Sequence, residues 1–121
     1  MGRYLRGDVI LAPVAFEEWG RAKTRPAIVI SVAENGDVQI CPVSSHPPTD
    51  APCIPISLND FYEGGLDLFE ESYVLTNRIY TIRSGEVVGK RGRLTQECMA
   101  LVIAKTPGQK AKSTDIKKKF R

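Results

Sequence analysis

The stretch Lys23-Thr24-Arg25-Pro26-Ala27-Ile28-Val29-Ile30-Ser31 limits what this chain can fold into more than any other. A basic loop runs straight into a fully apolar strand. Pro26 has no N–H and fixes its own φ, so it suits the first residue of a strand and disfavours helix at Arg25. Arg25 is thereby expected at a strand entrance, on rigid backbone, where a guanidinium meets a phosphate. Upstream, Gly7-Asp8-Val9-Ile10-Leu11-Ala12-Pro13-Val14 reads as a second strand opened by a Gly-Asp turn.

The remaining apolar runs are short as well. Strands are predicted over 8–14, 27–32, 37–43, 53–56, 73–75 and 86–94. Glu34-Asn35-Gly36-Asp37 is a hairpin signal, because Asn-Gly accepts the positive φ of a type I′ turn. Three prolines in Ser44-Ser45-His46-Pro47-Pro48-Thr49-Asp50-Ala51-Pro52 make that segment a loop. Residues 58–71 contain Gly64-Gly65 and read as an irregular excursion with one helical turn. One helix is expected after Thr95, a good N-cap, with Gln96 and Glu97 in the first turn where negative charge suits the N-terminus. Cys98, Met99, Leu101, Val102 and Ile103 give it an apolar face, and Thr106-Pro107-Gly108 stops it. Many short strands and one late helix imply a mainly β fold, a small, strongly bent antiparallel sheet or barrel with the helix packed alongside.

The 121 residues form one domain by length. No apolar run reaches the length of a membrane span, and no charged segment precedes an apolar run as in a secretory signal. Cys41, Cys53 and Cys98 are odd in number and lack ligand spacing, and His46 is the only histidine. Reduced, mostly buried thiols, no metal site, no cofactor and a cytoplasmic protein without membrane attachment are expected.

The net charge of +3 hides a division. Residues 105–121 carry seven basic groups against Asp115 alone, so the other 104 residues are net acidic, with ten basic and thirteen acidic groups. Residues 1–106 are read as the folded domain and 107–121 as a basic, mobile tail. The body's basic groups cluster in Arg21-Lys23-Arg25, in Arg78 and Arg83, and in Lys90-Arg91-Arg93. They form a phosphate-binding face if they converge, and three solvated turns if they do not.

Three segments in order resemble the MazF/PemK toxin family. The first runs from Gly7-Asp8 to the Arg25-Pro26-Ala27-Ile28-Val29-Ile30-Ser31 strand. The second is Cys41-Pro42-Val43-Ser44-Ser45. The third is Ser72-Tyr73-Val74-Leu75-Thr76-Asn77-Arg78-Ile79-Tyr80-Thr81-Ile82, followed by Gly92-Arg93-Leu94-Thr95. The resemblance implies an SH3-like β-barrel with a C-terminal helix, usually a homodimer. It also implies a toxin of a toxin–antitoxin pair, with a cognate antitoxin as partner and single-stranded RNA as substrate. The implied activity is that of a metal-independent endoribonuclease. Two other roles stay open: a CcdB-like gyrase poison, and a non-catalytic SH3-like nucleic-acid-binding module. The charged Arg25 loop favours the first role over the second, because phosphate chemistry needs that charge.

RNA cleavage by the ribose 2′-OH needs a proton acceptor, a proton donor for the leaving oxygen, and positive charge on the phosphorane. Arg25 and Ser44 match the family's functional arginine and strand-end Thr/Ser. His46 is the candidate base, since histidine ordinarily titrates near neutrality. Trp19, Arg21, Lys23, Ser45, Asn77 and Arg78 are the candidate RNA-binding residues, Trp19 by stacking on an unpaired base. Each has a plainer reading. Arg25 fits an ordinary surface arginine, Ser44 a turn cap, and His46 a solvated loop histidine. Some relatives place an arginine and an aspartate where this chain has Leu75 and Asn77, so no carboxylate is available there. The acidic stretch from Asp50 to Glu71 is expected outside the RNA groove, because like charge repels RNA.

The tail yields a test. Residues 107–121 carry five lysines and one arginine with few apolar side chains, too few to fold alone. Deleting them is expected to weaken RNA binding at low salt and to flatten the slope of log affinity against log salt. Cleavage-site preference should stay the same, because base recognition would reside elsewhere. Binding measured across a salt series checks this, and an unchanged slope rejects it.

Overall fold

The computed structural model describes residues 4–14, 23–47, 49, 51–64 and 72–106. In these the chain forms strands β1 (Asp8–Val14), β2 (Lys23–Val32), β3 (Val38–Ser44), β4 (Cys53–Ile56), β5 (Phe61–Gly64), β6 (Ser72–Leu75), β7 (Tyr80–Ile82) and β8 (Gly89–Leu94). Single 3-10 turns lie at Leu58–Asp60 and Ser84–Glu86, and helix α1 spans Gln96–Lys105. All strand pairs are antiparallel. They follow the order β4-β6-β3-β2-β1-β8-β5, with β7 pairing β3 beyond β6. The result is a mainly β fold, a strongly curled half-barrel sheet with one C-terminal helix. The expected tail, 107–121, lies outside the described residues.

The central strands are buried on both faces. Val9, Ile28, Ile30, Cys41 and Val43 point into one core, which Ile54, Ile56 and Val74 extend and which Cys98, Met99, Val102 and Ile103 of α1 cover. Ile10, Ala12, Ala27, Val29, Val38 and Ile40 point into a second core on the opposite face. Alternate residues of a strand face opposite ways, so a two-faced strand must be apolar at every position. That is why 27–30 shows no polar alternation. Tyr80, Ile82 and Val87 pack on the second core. The segment after β7 crosses that face and reaches β1, where the Val88 amide donates to the Leu11 carbonyl at 2.7 Å.

α1 begins as its sequence requires. Thr95 has extended backbone, and its hydroxyl accepts from the Cys98 amide. At the other end the Thr106 hydroxyl donates to the Val102 carbonyl at 2.6 Å.

Four expectations are corrected. Pro26 is not the first residue of its strand, because β2 starts at Lys23 and Pro26 pairs with Leu11. The β2–β3 ladder ends at Ala27 opposite Pro42, so two prolines stand where its rungs stop. The hairpin is not a two-residue type I′ turn. Gly36 N donates to Ala33 O, Ala33 N donates to Asp37 O, and Gly36 has φ +95°, the geometry of a turn followed by one left-handed residue. β8 starts at Gly89 rather than 86, since 84–86 form a 3-10 turn. β5 and β7 were not expected at all. β5 lies so close to β8 that a Cβ on Gly64 would stand 2.2 Å from the Arg91 carbonyl oxygen.

Asp8 fastens β1 to β8. Its carboxylate is 1% exposed and accepts from Leu5 N at 2.9 Å and Arg93 Nη1 at 3.0 Å, with Lys90 Nζ at 3.4 Å. Asp8→Ala leaves these donors without their acceptor. Arg93 and Lys90 keep partial solvent access, so the loss falls below that of a sealed ion pair. About 1.5–3 kcal/mol is expected, the range for hydrogen bonds to charged groups. Urea unfolding should show a lower midpoint with an unchanged m-value.

Candidate functional site

Beyond the segment that crosses the second core, the same face of the sheet carries a row of different chemistry. Ala27 and Pro42 are opposite each other on β2 and β3. Continuing that register by two residues brings Arg25 toward Ser44 on the same face. Ser44 lies opposite Tyr73 of β6, and Tyr73 lies opposite Pro55 of β4. Arg25, Ser44, Tyr73 and Pro55 therefore lie in order across four neighbouring strands, the two paired steps from Ser44 to Pro55 each about 4.8 Å. Arg25 is half-buried, with its Nε shut away from solvent, so its charge is held close to the sheet. Ser44 and Tyr73 are half-buried and Pro55 is exposed. Pro42 and Leu75, two residues along their strands on the same face, are buried.

The chain leaves β3 through a tight polar turn. The Ser44 hydroxyl accepts from the His46 amide at 3.1 Å. The cap expected of Ser44 is thus present, and its O–H proton remains available for donation to another acceptor. Ser45 Oγ stands 3.2 Å from His46 Nδ1. When Nδ1 donates to Ser45, Nε2 is the basic nitrogen of the ring. Both Ser45 and His46 are exposed.

Asn77 and Arg78 are exposed on the turn between β6 and β7. Both strands run along one edge of β3, pairing at Val43↔Val74 and at Ile40↔Tyr80, so the turn bulges out beside Cys41 and Pro42. The Cys41 thiol points at the Thr76 carbonyl oxygen, 4.0 Å away. Lys23, exposed at the start of β2, lies on the other side of the row. Trp19 and Arg21 fall outside the described residues.

The three basic groups do not converge. Lys90 and Arg93 are taken up by Asp8, and Lys90 also pairs with Glu63 at 3.6 Å. They stand at the β8–β5 end of the sheet. Asp60 and Glu63, the described acids of the 50–71 stretch, lie at that end too, away from Ser44. Among the described residues no three His, Cys, Asp or Glu side chains come together to hold a metal ion, and no helix is long and apolar enough to cross a membrane.

Compared with known protein families, residues 5–106 match the PemK-like, MazF-like toxins of type II toxin–antitoxin systems. The chain belongs to this family. No curated protein matches it. Membership implies a cognate antitoxin as the partner of this PemK/MazF-like toxin. Its Gly7-Asp8 signature has a structural reason in the Asp8 contacts. Its Arg25 and Ser44 segments supply adjoining strands of the row. Tyr73 is the row's unforeseen member. Alternation between Ser72, Tyr73 and Val74 would have placed it off the helix-side core, but its meeting with Ser44 depends on a register between distant segments.

The toxin's thiols separate by depth. Cys41 and Cys98 are buried, and burial pushes both up to about 11. Cys53 is half-buried opposite Leu75, on the face of the row. A disulfide reagent such as DTNB at mildly alkaline pH should modify Cys53 first, and all three thiols only after unfolding. Because the folded values are raised, the stabilisation from the two neutral thiols is complete below the ordinary value of 9.0 and is lost as pH rises toward about 11. Rapid native labelling of Cys41 or Cys98 would contradict this.

Proposed function

We propose that this toxin is an endoribonuclease that cuts single-stranded RNA by attack of a ribose 2′-OH on the adjacent phosphate, without a metal ion. The observation that carries the reading is the placement of Arg25 and Ser44 on adjoining strands of one sheet face. A forked guanidinium beside a hydroxyl donor suits phosphate oxygens that gain charge in the transition state. The 2′ oxygen forms a bond to phosphorus, and the bond from phosphorus to the 5′ oxygen breaks. His46 takes the 2′ proton, and the leaving 5′ oxygen takes a proton from solvent water. The products are a 2′,3′-cyclic phosphate and a free 5′-hydroxyl. Lys23 and Arg78 hold flanking phosphates, Ser45 orients the imidazole, and Asn77 hydrogen-bonds to the nucleotide. Trp19 and Arg21 join the RNA-binding set on their chemistry, a ring to stack on a base and a cation close before Arg25 in sequence. Residues 1–106 form the catalytic domain, and 107–121 add a sequence-independent electrostatic contribution. The protein acts in the cytoplasm as a homodimer.

A gyrase poison has no need of a guanidinium and a hydroxyl on adjoining strands of one face, which favours cleavage over that role. The test uses purified protein and single-stranded RNA in EDTA. Cleavage with a cyclic or 3′-phosphate end is expected. Arg25→Ala should lower the rate by about two to three orders of magnitude, the usual effect of deleting one transition-state donor. Wild-type cleavage by Arg25→Ala would sink the assignment. Cleavage that appears only when a divalent metal is added would sink the metal-independent mechanism.

A further inference from the structure

We infer that Tyr73 is a specificity residue whose ring stacks on the unpaired base adjoining the phosphate between Arg25 and Ser44. The inference rests on the proposed RNA-cleaving role of that row. Its own support comes from β6. Val74 is fully buried in the core under α1, so Tyr73, the preceding residue, faces the opposite side of the sheet. There it sits opposite Ser44 on one flank and Pro55 on the other. Cβ atoms of directly opposed residues lie about 4.5–5.5 Å apart, so the Tyr73 and Ser44 side chains start as neighbours on one face. Leu75, two residues along β6, and Pro42, two residues before Ser44 on β3, are buried positions of the same face.

The chemistry of the row changes in one direction. It goes from the charge of Arg25, to the hydroxyl of Ser44, to the aromatic ring of Tyr73, to the apolar ring of Pro55. A nucleotide has the same sequence of demands, a charged phosphate followed by a flat base. A phosphate between Arg25 and Ser44 leaves its base one strand further on, over Tyr73. Aromatic rings hold unpaired bases by their π faces. The bases nearest the cut are then selected by how they stack as well as by hydrogen bonds.

The probe is a short 2′-O-methyl single-stranded RNA, which cannot be cut by 2′-OH attack, carrying 2-aminopurine at each position in turn. Binding is followed by anisotropy and stacking by quenching of 2-aminopurine fluorescence. With wild-type protein, quenching is expected at one position or two neighbouring ones. Tyr73→Ala should abolish that quenching and weaken binding about 5- to 150-fold, with the salt slope unchanged because no phosphate contact is lost. Tyr73→Phe should keep both signals. Tyr73→Leu keeps an apolar side chain without a π face, so it should lose the quenching while unfolding like wild type. It serves as the test if Tyr73→Ala does not fold. Undiminished quenching in Tyr73→Leu, or its loss in Tyr73→Phe, overturns the inference and leaves the cleavage reading intact. Absence of any RNA binding or cleavage by wild-type protein overturns the cleavage reading, and this inference with it.

Discussion

Side chains of a strand point alternately to the two sides of a sheet, and in β1, β2 and β3 both sides are packed. α1 covers one side with Cys98, Met99, Val102 and Ile103. The segment from β7 toward β8 covers the other with Tyr80, Ile82 and Val87. Under such cover a strand residue is apolar or buries an unmet polar group. Polar chemistry is thereby confined to places where the cover ends. Val88 is tied to Leu11, which faces Pro26, and the next residue outward along β2 is Arg25. Arg25 stands where the apolar run of β2 ends, half-buried opposite the buried Ala12.

Cations divide by the same geometry. Lys90 and Arg93 lie near a buried carboxylate, and Asp8 takes both. That arrangement ties β8 to the start of β1, where Gly7 also bonds to Val29 and Leu94 through its backbone. Lys23 and Arg78 have exposed positions on either side of the row. The acidic side chains Asp60 and Glu63 stand at the β5 end. Among the described residues these two acids thus stand apart from Lys23 and Arg78.

Local pattern made much of this fold legible. β1 and β4 begin and end at the expected residues, and α1 follows Thr95 as its cap chemistry demands. The Arg25 and Ser44 segments were legible through Pro26 and the proline loop. What escaped depends on partners far away in the chain. Short exposed β5 is a strand only because β8 lies beside it, with Gly64 against Arg91 and Gly92. β7 is three residues long and is ordered by β3. The convergence of Lys90 and Arg93 on Asp8 spans most of the chain, so composition alone left open whether the basic groups meet. Tyr73 stood in plain view within a recognised motif, but nothing local told that Ser44 would be its neighbour.

The interruption between β6 and β7 has a consequence for divergence. Thr76 is buried, and Ile79 packs against the core under α1, while β3 holds the chain on both sides. Asn77 and Arg78 are thus an exposed pair between two fixed posts. Their identity can drift without shifting any rung of the sheet, and an added residue would enlarge the bulge rather than slide the ladder. Such a tip lets surface chemistry evolve at a rate of its own, uncoupled from the slow constraints of the scaffold on which it stands.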